Sequence, residues 1–309
     1  MDFQRGDSGI MTVNDPSKKV IPLPRRDGRG DAGETSRRRK SHARVIAITS
    51  GKGGVGKTNI VANLGFAFSN LGKKVLIMDA DLGLGNMDVL LGIAPKFNIS
   101  HVIRGEKSLA DILEQGPGKM RILPASSGIQ ELTQLTNDQK VQFLTELDRL
   151  IDDVDILLID TAAGISTNVM DFNVTAHEIV VVVSPEPTSI TDAYALMKVL
   201  SLKYAEKNCK LLVNMVASAR EGEDVYRQLA LVTDRFLDIH IDYLGSVLYD
   251  DKVTRGVKRQ RLVSDLYPDS KASRCFTDLA RRMAMATPSS RPKGNTNFFW
   301  HHLVRTTPM

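Results

Sequence analysis

The amino-acid sequence predicts an α/β fold in which a single domain holds one mostly parallel, twisted sheet with helices on both faces. Three observations support this prediction. Short runs of Val, Ile and Leu alternate with helical periodicity between residues 44 and 286, a pattern typical of parallel sheets that are buried on both sides. A glycine-rich loop joins the first apolar run to a helical stretch. Aspartates stand at or near the ends of later runs, at the edge where ligands bind in such folds.

Seven short apolar runs are predicted to be strands, and six longer stretches with helical apolar spacing are predicted to be helices. The predicted strands are 44–49, 75–78, 121–124, 155–159, 178–184, 210–216 and 242–248. The predicted helices are 57–71, 138–151, 166–176, 189–207, 223–237 and 270–286. Because helices separate most of the strands, parallel pairing through crossover connections is favoured.

Residues 51–58 form the motif that says most about function. They read Gly-Lys-Gly-Gly-Val-Gly-Lys-Thr and fit the phosphate-loop pattern G-x-x-x-x-G-K-[ST]. Small residues let the backbone wrap a phosphate closely, and the N-terminus of the following helix attracts negative charge. Lys57 is predicted to contact the β- and γ-phosphates, and the Thr58 hydroxyl is predicted to bind Mg²⁺. The loop thus predicts a nucleotide-binding protein.

Charge and composition exclude several other classes. The 309-residue chain has a formal net charge of +5, of which residues 1–40 carry +4 and residues 288–309 carry +3, so that −2 remains for residues 41–287. This slightly acidic body argues against nucleic-acid binding by the core. Cys209 and Cys275 lie outside any C-x-x-C spacing, which argues against a zinc or iron–sulfur site and suits a reducing cytoplasm. We expect neither a signal peptide nor a membrane span.

The chain is predicted to divide into three parts. Residues 1–43 are interpreted as a disordered basic arm, and residues 44–286 as the nucleotide-binding domain. The arm is interpreted as a solvated tail, with contact to an acidic partner as the alternative. Residues 287–309 comprise a linker and a short amphipathic helix that is predicted to bind a membrane surface. The membrane-binding side chains are Phe298, Phe299, Trp300, Leu303 and Val304. Docking of this helix on the domain, or contact with a partner, remains an alternative.

Three aspartates stand at predicted strand ends beside the phosphate loop. Asp79 and Asp81 are placed just past the second strand, and Asp160 is placed at the end of an apolar strand. An aspartate in the position of Asp160 typically holds the Mg²⁺ of a P-loop nucleotide hydrolase. The small residues 161–164 are expected to form a loop against the γ-phosphate.

The motif at 52–58 resembles the deviant Walker A motif of the MinD/ParA ATPases. The resemblance covers 44–286 and implies a MinD-like P-loop fold in which Lys52 crosses an ATP-bridged homodimer interface. It implies that Asp81 orients the attacking water, that Asp79 supports the metal and that Asn214 contacts adenine. The resulting catalytic residues are Lys52, Lys57 and Asp81, and the metal-binding residues are Thr58, Asp79 and Asp160. The nucleotide-binding residues are Gly51, Lys52, Gly53, Gly54, Val55, Gly56, Lys57, Thr58, Asn59 and Asn214.

Within that family, several segments resemble the FlhG/FleN flagellar-number regulators. These segments are 81–88, 184–194, 247–251, 267–273 and 297–300. The resemblance implies a slow, Mg²⁺-dependent ATPase that cycles between a cytosolic monomer and an ATP-bound dimer at the inner face of the cell membrane, and that controls flagellar number and placement. The implied partners are an FlhF-type GTPase, a FleQ-type regulator or flagellar C-ring proteins. Residues 1–43 contain no Asp-Gln-Ala-x-x-Leu-Arg element, with which such proteins stimulate FlhF.

Four other functions are compatible with a loop of this kind. A ParA-like ATPase that positions DNA or other cargo needs a basic surface, which the charge of the body disfavours. An iron–sulfur carrier or reductase needs paired cysteines, which the sequence lacks. A small-molecule or tyrosine kinase is a further alternative, and the absence of a tyrosine-rich tail argues against self-phosphorylation. A binding module that uses nucleotide only as a conformational switch stays open, because the sequence does not separate that role from hydrolysis.

Overall fold

An eight-stranded sheet forms the centre of the part of the chain that the computed structural model describes, residues 43–81, 85–124, 145–147 and 149–286. The strands are β1 (Arg44–Ser50), β2 (Val75–Ala80), β3 (Glu114–Gln115), β4 (Arg121–Leu123), β5 (Ile156–Ala163), β6 (Glu178–Val183), β7 (Asn208–Val216) and β8 (His240–Leu248). Their order is β3-β4-β2-β5-β1-β6-β7-β8. Every neighbouring pair is parallel except β3 and β4.

Helices cover both faces of this sheet. They are α1 (Lys57–Asn70), α2 (Met87–Leu91), α3 (Ile99–Ile103), α4 (Thr167–Thr175), α5 (Pro187–Tyr204), α6 (Ala219–Phe236), α7 (Asp251–Lys258), α8 (Val263–Leu266) and α9 (Lys271–Met285). Residues 145–147 and 149–151 are also helical. The predicted fold class is confirmed. None of the described helices combines the length and the apolar character that a membrane crossing requires.

The core is built by side chains that alternate between the two faces of the sheet. On one face, Ile46 and Ile77 belong to a buried cluster with Phe68 of α1 and Phe276 of α9. On the other face, the intervening side chains of β1 and β2 form a second cluster with Phe172 of α4, and side chains of β6, β7 and β8 form a third with α4, α5 and α6. The loops after β1, β2 and β5 therefore begin at a rigid, fully buried centre. All three begin at the same side of the sheet, where the carboxyl ends of these parallel strands lie.

The predicted ends of two strands, β2 and β5, were too early. β2 runs on through Asp79 to Ala80, and β5 runs on through Asp160 to Ala163, whereas β7 ends at Val216 as predicted. The apolar pattern stops at these polar residues, but the backbone ladder continues, since Asp79 lies opposite Asp160 in the parallel register of β2 and β5. Residues 161–163 therefore belong to a strand, and of the predicted loop only Gly164 lies beyond it.

The helix boundaries also differ from the prediction. α5 begins earlier because Pro187 suits a first helical turn, and α6 begins at Ala219 because the Ser218 hydroxyl accepts from Glu221 N–H. The prediction missed β3 and the short elements α2, α3, α7 and α8, which have too few residues for a clear apolar period. Three predicted regions lie outside the described residues: 1–42 of the arm, 138–144 of a helix, and the C-terminal segment 287–309.

A buried ionic network joins the amino ends of the central strands to α9. Arg44 of β1 pairs with both carboxylate oxygens of Glu178 in β6 and donates to the Met283 carbonyl. Lys210 of β7 donates to Glu178 at 2.6 Å. Burial raises the pKa of Glu178, but hydrogen bonds from Arg44 and Lys210 outweigh it and hold that pKa below its ordinary 4.5. The network therefore fixes the sheet edge opposite the phosphate loop.

Replacing Glu178 by alanine is expected to lower the free energy of unfolding by about 3 kcal/mol near pH 7, because two cations lose their partner. Stability from a carboxylate with a lowered pKa is present above its unfolded-state value and is lost as it protonates, so the difference should shrink as the pH falls below 4.5. Urea unfolding at several pH values, followed by circular dichroism, measures both effects. Glu223→Ala breaks an exposed pair with Arg227 and should cost less than about 1 kcal/mol. Equal losses of stability in both variants would contradict the larger stabilising role of the buried Glu178 network.

Candidate nucleotide-binding site

The loop between β1 and α1 has the backbone geometry of an anion site. Gly54 and Gly56 have φ values of +82° and +84°, which glycine adopts without strain. α1 begins directly after Gly56, with no side chain capping its N-terminus and no acidic residue in its first turn. The first N–H groups of this 14-residue helix are thus left for a ligand, and the helix dipole favours an anion there.

Two glycines of the loop are required by close contacts. A Cβ atom at Gly51 would lie 2.1 Å from the Asp192 carbonyl oxygen of α5. A Cβ atom at Gly56 would lie 2.5 Å from the Asn214 amide nitrogen. At Gly53 and Gly54 a Cβ would meet nothing within 4 Å. The loop is therefore fixed to the protein at its two ends and open in its middle, where the predicted phosphate contacts lie.

Lys57 and Asp160 form a buried ion pair at the start of α1. The Lys57 ammonium donates to Asp160 at 2.9 Å, and the two side chains are only 9% and 2% exposed. The Thr58 side chain also hydrogen-bonds Asp160. Burial raises the pKa of Asp160, although the Lys57 charge and the hydrogen bonds from Lys57 and Thr58 oppose that shift. The structure thus brings together Lys57, Thr58 and Asp160, three of the four residues predicted to surround the metal and the terminal phosphates.

Asp79 lies beside this pair and carries a second buried carboxylate. Its oxygens accept from the backbone N–H groups of Asp81 and Met87 at 3.2 and 3.3 Å. Burial and the neighbouring Asp160 charge raise the pKa of Asp79 to about 7. Asp79 thus adds a second buried carboxylate beside the one that Lys57 pairs with, and a bound cation would neutralise this additional negative charge.

The described carboxylates and the hydroxyl of Thr58 fit Mg²⁺ bound to a nucleotide. No group of three or more His, Cys, Asp or Glu side chains within the described residues is arranged to hold a metal by itself. Mg²⁺ is commonly bound by one or two carboxylates together with substrate phosphates and water. Thr58 and Asp160, with Asp79 beside them, would provide the protein ligands, and the phosphates and water would complete the coordination.

The segment after β5 is fixed against β1 by hydrogen bonds. Thr161 donates to the Ile48 carbonyl at 3.2 Å, Gly164 N–H donates to the Ser50 carbonyl at 2.8 Å, and Asn173 of α4 donates to Thr49 at 3.2 Å. Ile165 follows and is 53% exposed. The sequence prediction missed Thr49 and Asn173, whose contact joins positions more than a hundred residues apart.

Lys52 contacts the start of α5 in its own chain. Its ammonium donates to Glu186 at 2.7 Å and to Thr188 at 2.8 Å. The pair with Glu186 is accessible, with 36% and 63% of the two side chains exposed. Neither Glu186 nor Thr188 was predicted as a site residue, because no sequence pattern links them to the loop.

Asn214 lies against the loop, next to an open cleft. Its amide donates to the Val55 carbonyl at 2.8 Å, so one of its donors supports the loop itself. The cleft measures about 620 Å³ and is lined by Ser184, Pro185, Glu186, Met215, Ala217, Glu221, Tyr249 and Lys271. Its size suits a small-molecule ligand. Met215 has a positive φ of +61°, and the sequence prediction missed both it and Tyr249.

The remaining predicted residues fall into two groups. Asn59 lies in the first turn of α1, and Asp81 directly follows β2, so both are at the same sheet edge as the loop. The predicted membrane-binding side chains lie outside the described residues, at 298–304.

Comparisons with known proteins identify the family to which the chain belongs. A family model described as an AAA domain matches residues 43–213. The chain is 44% identical over 261 residues to "Antiactivator FleN" of Pseudomonas aeruginosa, covering 84% of this chain and 93% of that protein. It is 34% identical over 271 residues to "Flagellum site-determining protein YlxH" of Helicobacter pylori, covering 86% and 91%. The MinC:MinD cell division complex of Aquifex aeolicus matches with a TM-score of 0.61 and 31% identity, over 81% and 99% of the chains.

The fold and the loop together define a P-loop nucleotide hydrolase whose Walker A motif carries a second lysine. The chain belongs to the MinD/ParA family of ATPases, in the branch that includes FleN and FlhG. The resemblance noted in the sequence is thereby confirmed.

Replacing Asp79 by asparagine is expected to raise the free energy of unfolding at pH 8 by about 2–4 kcal/mol in nucleotide-free protein without Mg²⁺. Between pH 3.8 and about 7 the folded wild type retains a proton that the unfolded chain has released, so its stability falls as the pH rises. Denaturant unfolding across this range measures the fall, which the variant should lack. The exposed Asp234→Asn is the control, and a variant that keeps the wild-type pH profile would contradict the burial of charge at Asp79.

Proposed function

We propose that this protein is an ATP-dependent dimerising switch that controls flagellar number and placement. The observation that carries the proposal is the pair of lysines in one loop, of which Lys57 is buried against Asp160 and Lys52 is exposed beside it. The descriptions of its relatives as an antiactivator and as a flagellum site-determining protein support the biological role.

The described residues support roles for each part of a Mg²⁺–ATP complex. Lys57 and the free N–H groups of α1 bind the terminal phosphates, while Thr58 and Asp160 hold the metal with Asp79 supporting it. Bound Mg²⁺ supplies positive charge at the phosphates, where charge develops during phosphoryl transfer. Asp81 orients the attacking water, and Asn214 with the cleft beside it receives the adenine. Catalysis in such a site rests mainly on positioning and on charge stabilisation.

The accessible pair of Lys52 and Glu186 supports the dimer part of the proposal. An exposed ion pair is worth little, typically about 0–1 kcal/mol, so Lys52 is released from α5 at small cost. In the ATP dimer Lys52 then contacts the nucleotide of the second copy, where it acts as an arginine finger does in other NTPases. Hydrolysis therefore depends on the dimer and is slow in the monomer.

Dimerisation also provides a way to control membrane attachment. The segment that contains Phe299 and Trp300 is short and, as a single anchor, binds membranes weakly. Two copies held by one dimer gain effective concentration, which raises avidity by roughly 10²–10⁴. The ATP-bound dimer is then peripheral on the inner face of the cell membrane, and hydrolysis returns a cytosolic monomer. Its partners are an FlhF-type GTPase, a FleQ-type regulator or flagellar C-ring proteins.

Replacing Lys52 by alanine is expected to lower ATP hydrolysis at least tenfold while nucleotide affinity changes by less than about threefold, because Lys52 acts on the partner's nucleotide. Phosphate release and sedimentation with ATP or ADP measure hydrolysis and dimerisation. Asp81→Ala should bind ATP and accumulate as a dimer.

Lys198→Ala, at an exposed position of α5, is the matched lysine control and should behave as wild type. A Lys52→Ala protein that hydrolyses ATP at the wild-type rate would refute the role in trans. An Asp81→Ala protein that stays monomeric with ATP would refute the role of Asp81.

Removing the aromatic side chains of the C-terminal segment is expected to abolish nucleotide-dependent membrane binding. Wild type should sediment with anionic vesicles more with ATP than with ADP, and Phe299→Ala combined with Trp300→Ala should lose this difference while ATP still drives dimerisation. Equal sedimentation of wild type with both nucleotides, or unchanged binding of the double variant, would exclude the membrane part of the proposal.

A further inference from the structure

A strongly basic surface is formed by residues 251–261, within a body that is otherwise acidic. This segment carries five cations and one carboxylate, Asp251. Because residues 41–287 as a whole carry −2 and this segment carries +4, the rest of that body carries −6. We call the exposed side chains of 251–261 the basic surface. Its cations are Lys252, Arg255, Lys258, Arg259 and Arg261.

The centre of the basic surface is available for a ligand. Arg255 pairs with Asp251 and Arg261 pairs with Asp265, whereas Lys258 and Arg259 are exposed and form no ion pair with any described residue. Val257 lies directly before them and is 39% exposed. The centre of the surface therefore combines two uncompensated cations with an apolar side chain.

The backbone that presents these side chains is rigid. Gly256 is buried, and a Cβ atom there would lie 2.7 Å from the Arg261 carbonyl oxygen. The N–H groups of Arg259 and Arg261 both donate to the Gly256 carbonyl, at 2.9 and 3.1 Å. α8 is attached in turn to α1, since Ser264 N–H donates to Asn63 at 3.1 Å. A rigid surface loses little conformational freedom when it binds a partner.

The basic surface is connected to the nucleotide site through α2. Gln260 donates from its side chain to the Val89 carbonyl of α2 at 3.1 Å. Gln260 also packs closely on Gly92, where a Cβ atom would lie 3.3 Å from the Gln260 Cβ. α2 begins at Met87, whose N–H donates to Asp79. A chain of direct contacts therefore links Asp79 to Gln260, the residue next to Arg259.

We propose that the basic surface binds an acidic, amphipathic segment of a partner protein, and that nucleotide state regulates this binding through Gln260. This inference rests on the proposed function, for which it supplies a partner-binding site. Arginine-rich clusters recognise acidic motifs in many proteins. The two tails of this chain are basic, with charges of +4 and +3, and so do not complement the surface. The surrounding acidic body disfavours a membrane plane or a DNA duplex, either of which would extend beyond the short basic segment.

The probe is a fluorescein-labelled helical peptide that carries Glu on one face and Leu on the other. Its binding to the full-length protein is measured with ADP and with a non-hydrolysable ATP analogue. Lys258→Glu combined with Arg259→Glu should weaken binding at least tenfold at low salt, with a loss that shrinks as salt rises. Lys198→Glu combined with Lys203→Glu makes the same change in net charge on α5 and should leave affinity within about twofold. Equal losses in both double variants would overturn the site.

Two further arms decide between partner classes and test the nucleotide dependence. A labelled 20-base-pair duplex and phosphatidylglycerol vesicles replace the peptide, and a specific loss of duplex or vesicle binding in Lys258→Glu with Arg259→Glu, with peptide binding intact, would overturn the proposal. Wild-type affinity for the peptide should differ between the two nucleotides. Gln260 has a positive φ of +53°, which asparagine tolerates, so Gln260→Asn shortens the side chain without backbone strain and should remove this difference. Equal wild-type affinities would overturn regulation by nucleotide.

ATP-driven dimerisation of the same variants separates this inference from the proposed function. The charge-reversed protein should still dimerise and hydrolyse ATP, since the basic surface is outside the nucleotide site. Absence of an ATP dimer in wild type would refute the proposed switch, whereas an intact ATP dimer without any peptide binding would refute the basic surface alone.

Discussion

The buried ion pair between Lys57 and Asp160 is the contact on which the nucleotide site depends. A buried charge without a partner is costly, and removing one member of such a pair typically costs about 3–5 kcal/mol. Asp79 lies opposite Asp160 in the strand register, so a second carboxylate shares this desolvated space. Burial raises the pKa values of both aspartates; the Asp160 charge adds to the shift at Asp79, and the Asp81 charge adds to the shift at Asp160, where Lys57 and Thr58 oppose it. The buried carboxylates therefore favour binding of a further cation, and Mg²⁺ bound together with a nucleotide would supply it.

The carboxyl ends and the amino ends of the strands, here called the carboxyl and amino edges of the sheet, have different roles. The carboxyl edge carries the loop, the aspartates and the cleft, while the amino edge is fixed by Arg44, Glu178 and Lys210. α9 connects the two edges, because Ala272 N–H near its start bonds Asp250 and the Met283 carbonyl near its end accepts from Arg44. The chain beyond Ala286 thus continues from the stable edge. This arrangement lets residues at the nucleotide edge rearrange without loosening the point from which the C-terminal segment departs.

Much of the fold and of the phosphate site could be predicted because the information is local. Glycines at positive φ, an adjacent lysine and threonine, and apolar strands that lead to aspartates are all adjacent in the sequence. The contacts that the prediction missed join distant positions, such as Lys52 with Glu186, Asn173 with Thr49, and Gln260 with Val89. No periodicity records such pairs, since they are created by the sheet order. The strand ends were misplaced for a related reason: hydropathy falls at Asp79 and Asp160, but the backbone ladder does not.

The two lysines of the loop show how burial alone divides one residue type into two functions. Lys57 is 9% exposed and its partner 2%, so separating them would leave charges in a medium where they are poorly solvated. Lys52 and Glu186 are 36% and 63% exposed, so water replaces their contact at little cost. The first lysine is therefore a permanent part of its own site. The second can exchange one acceptor for another, and a nucleotide on a second copy of the chain is an acceptor of the right charge. The proposed dimerising switch uses both properties in one loop, and the difference in solvent exposure provides them without any change in side-chain chemistry.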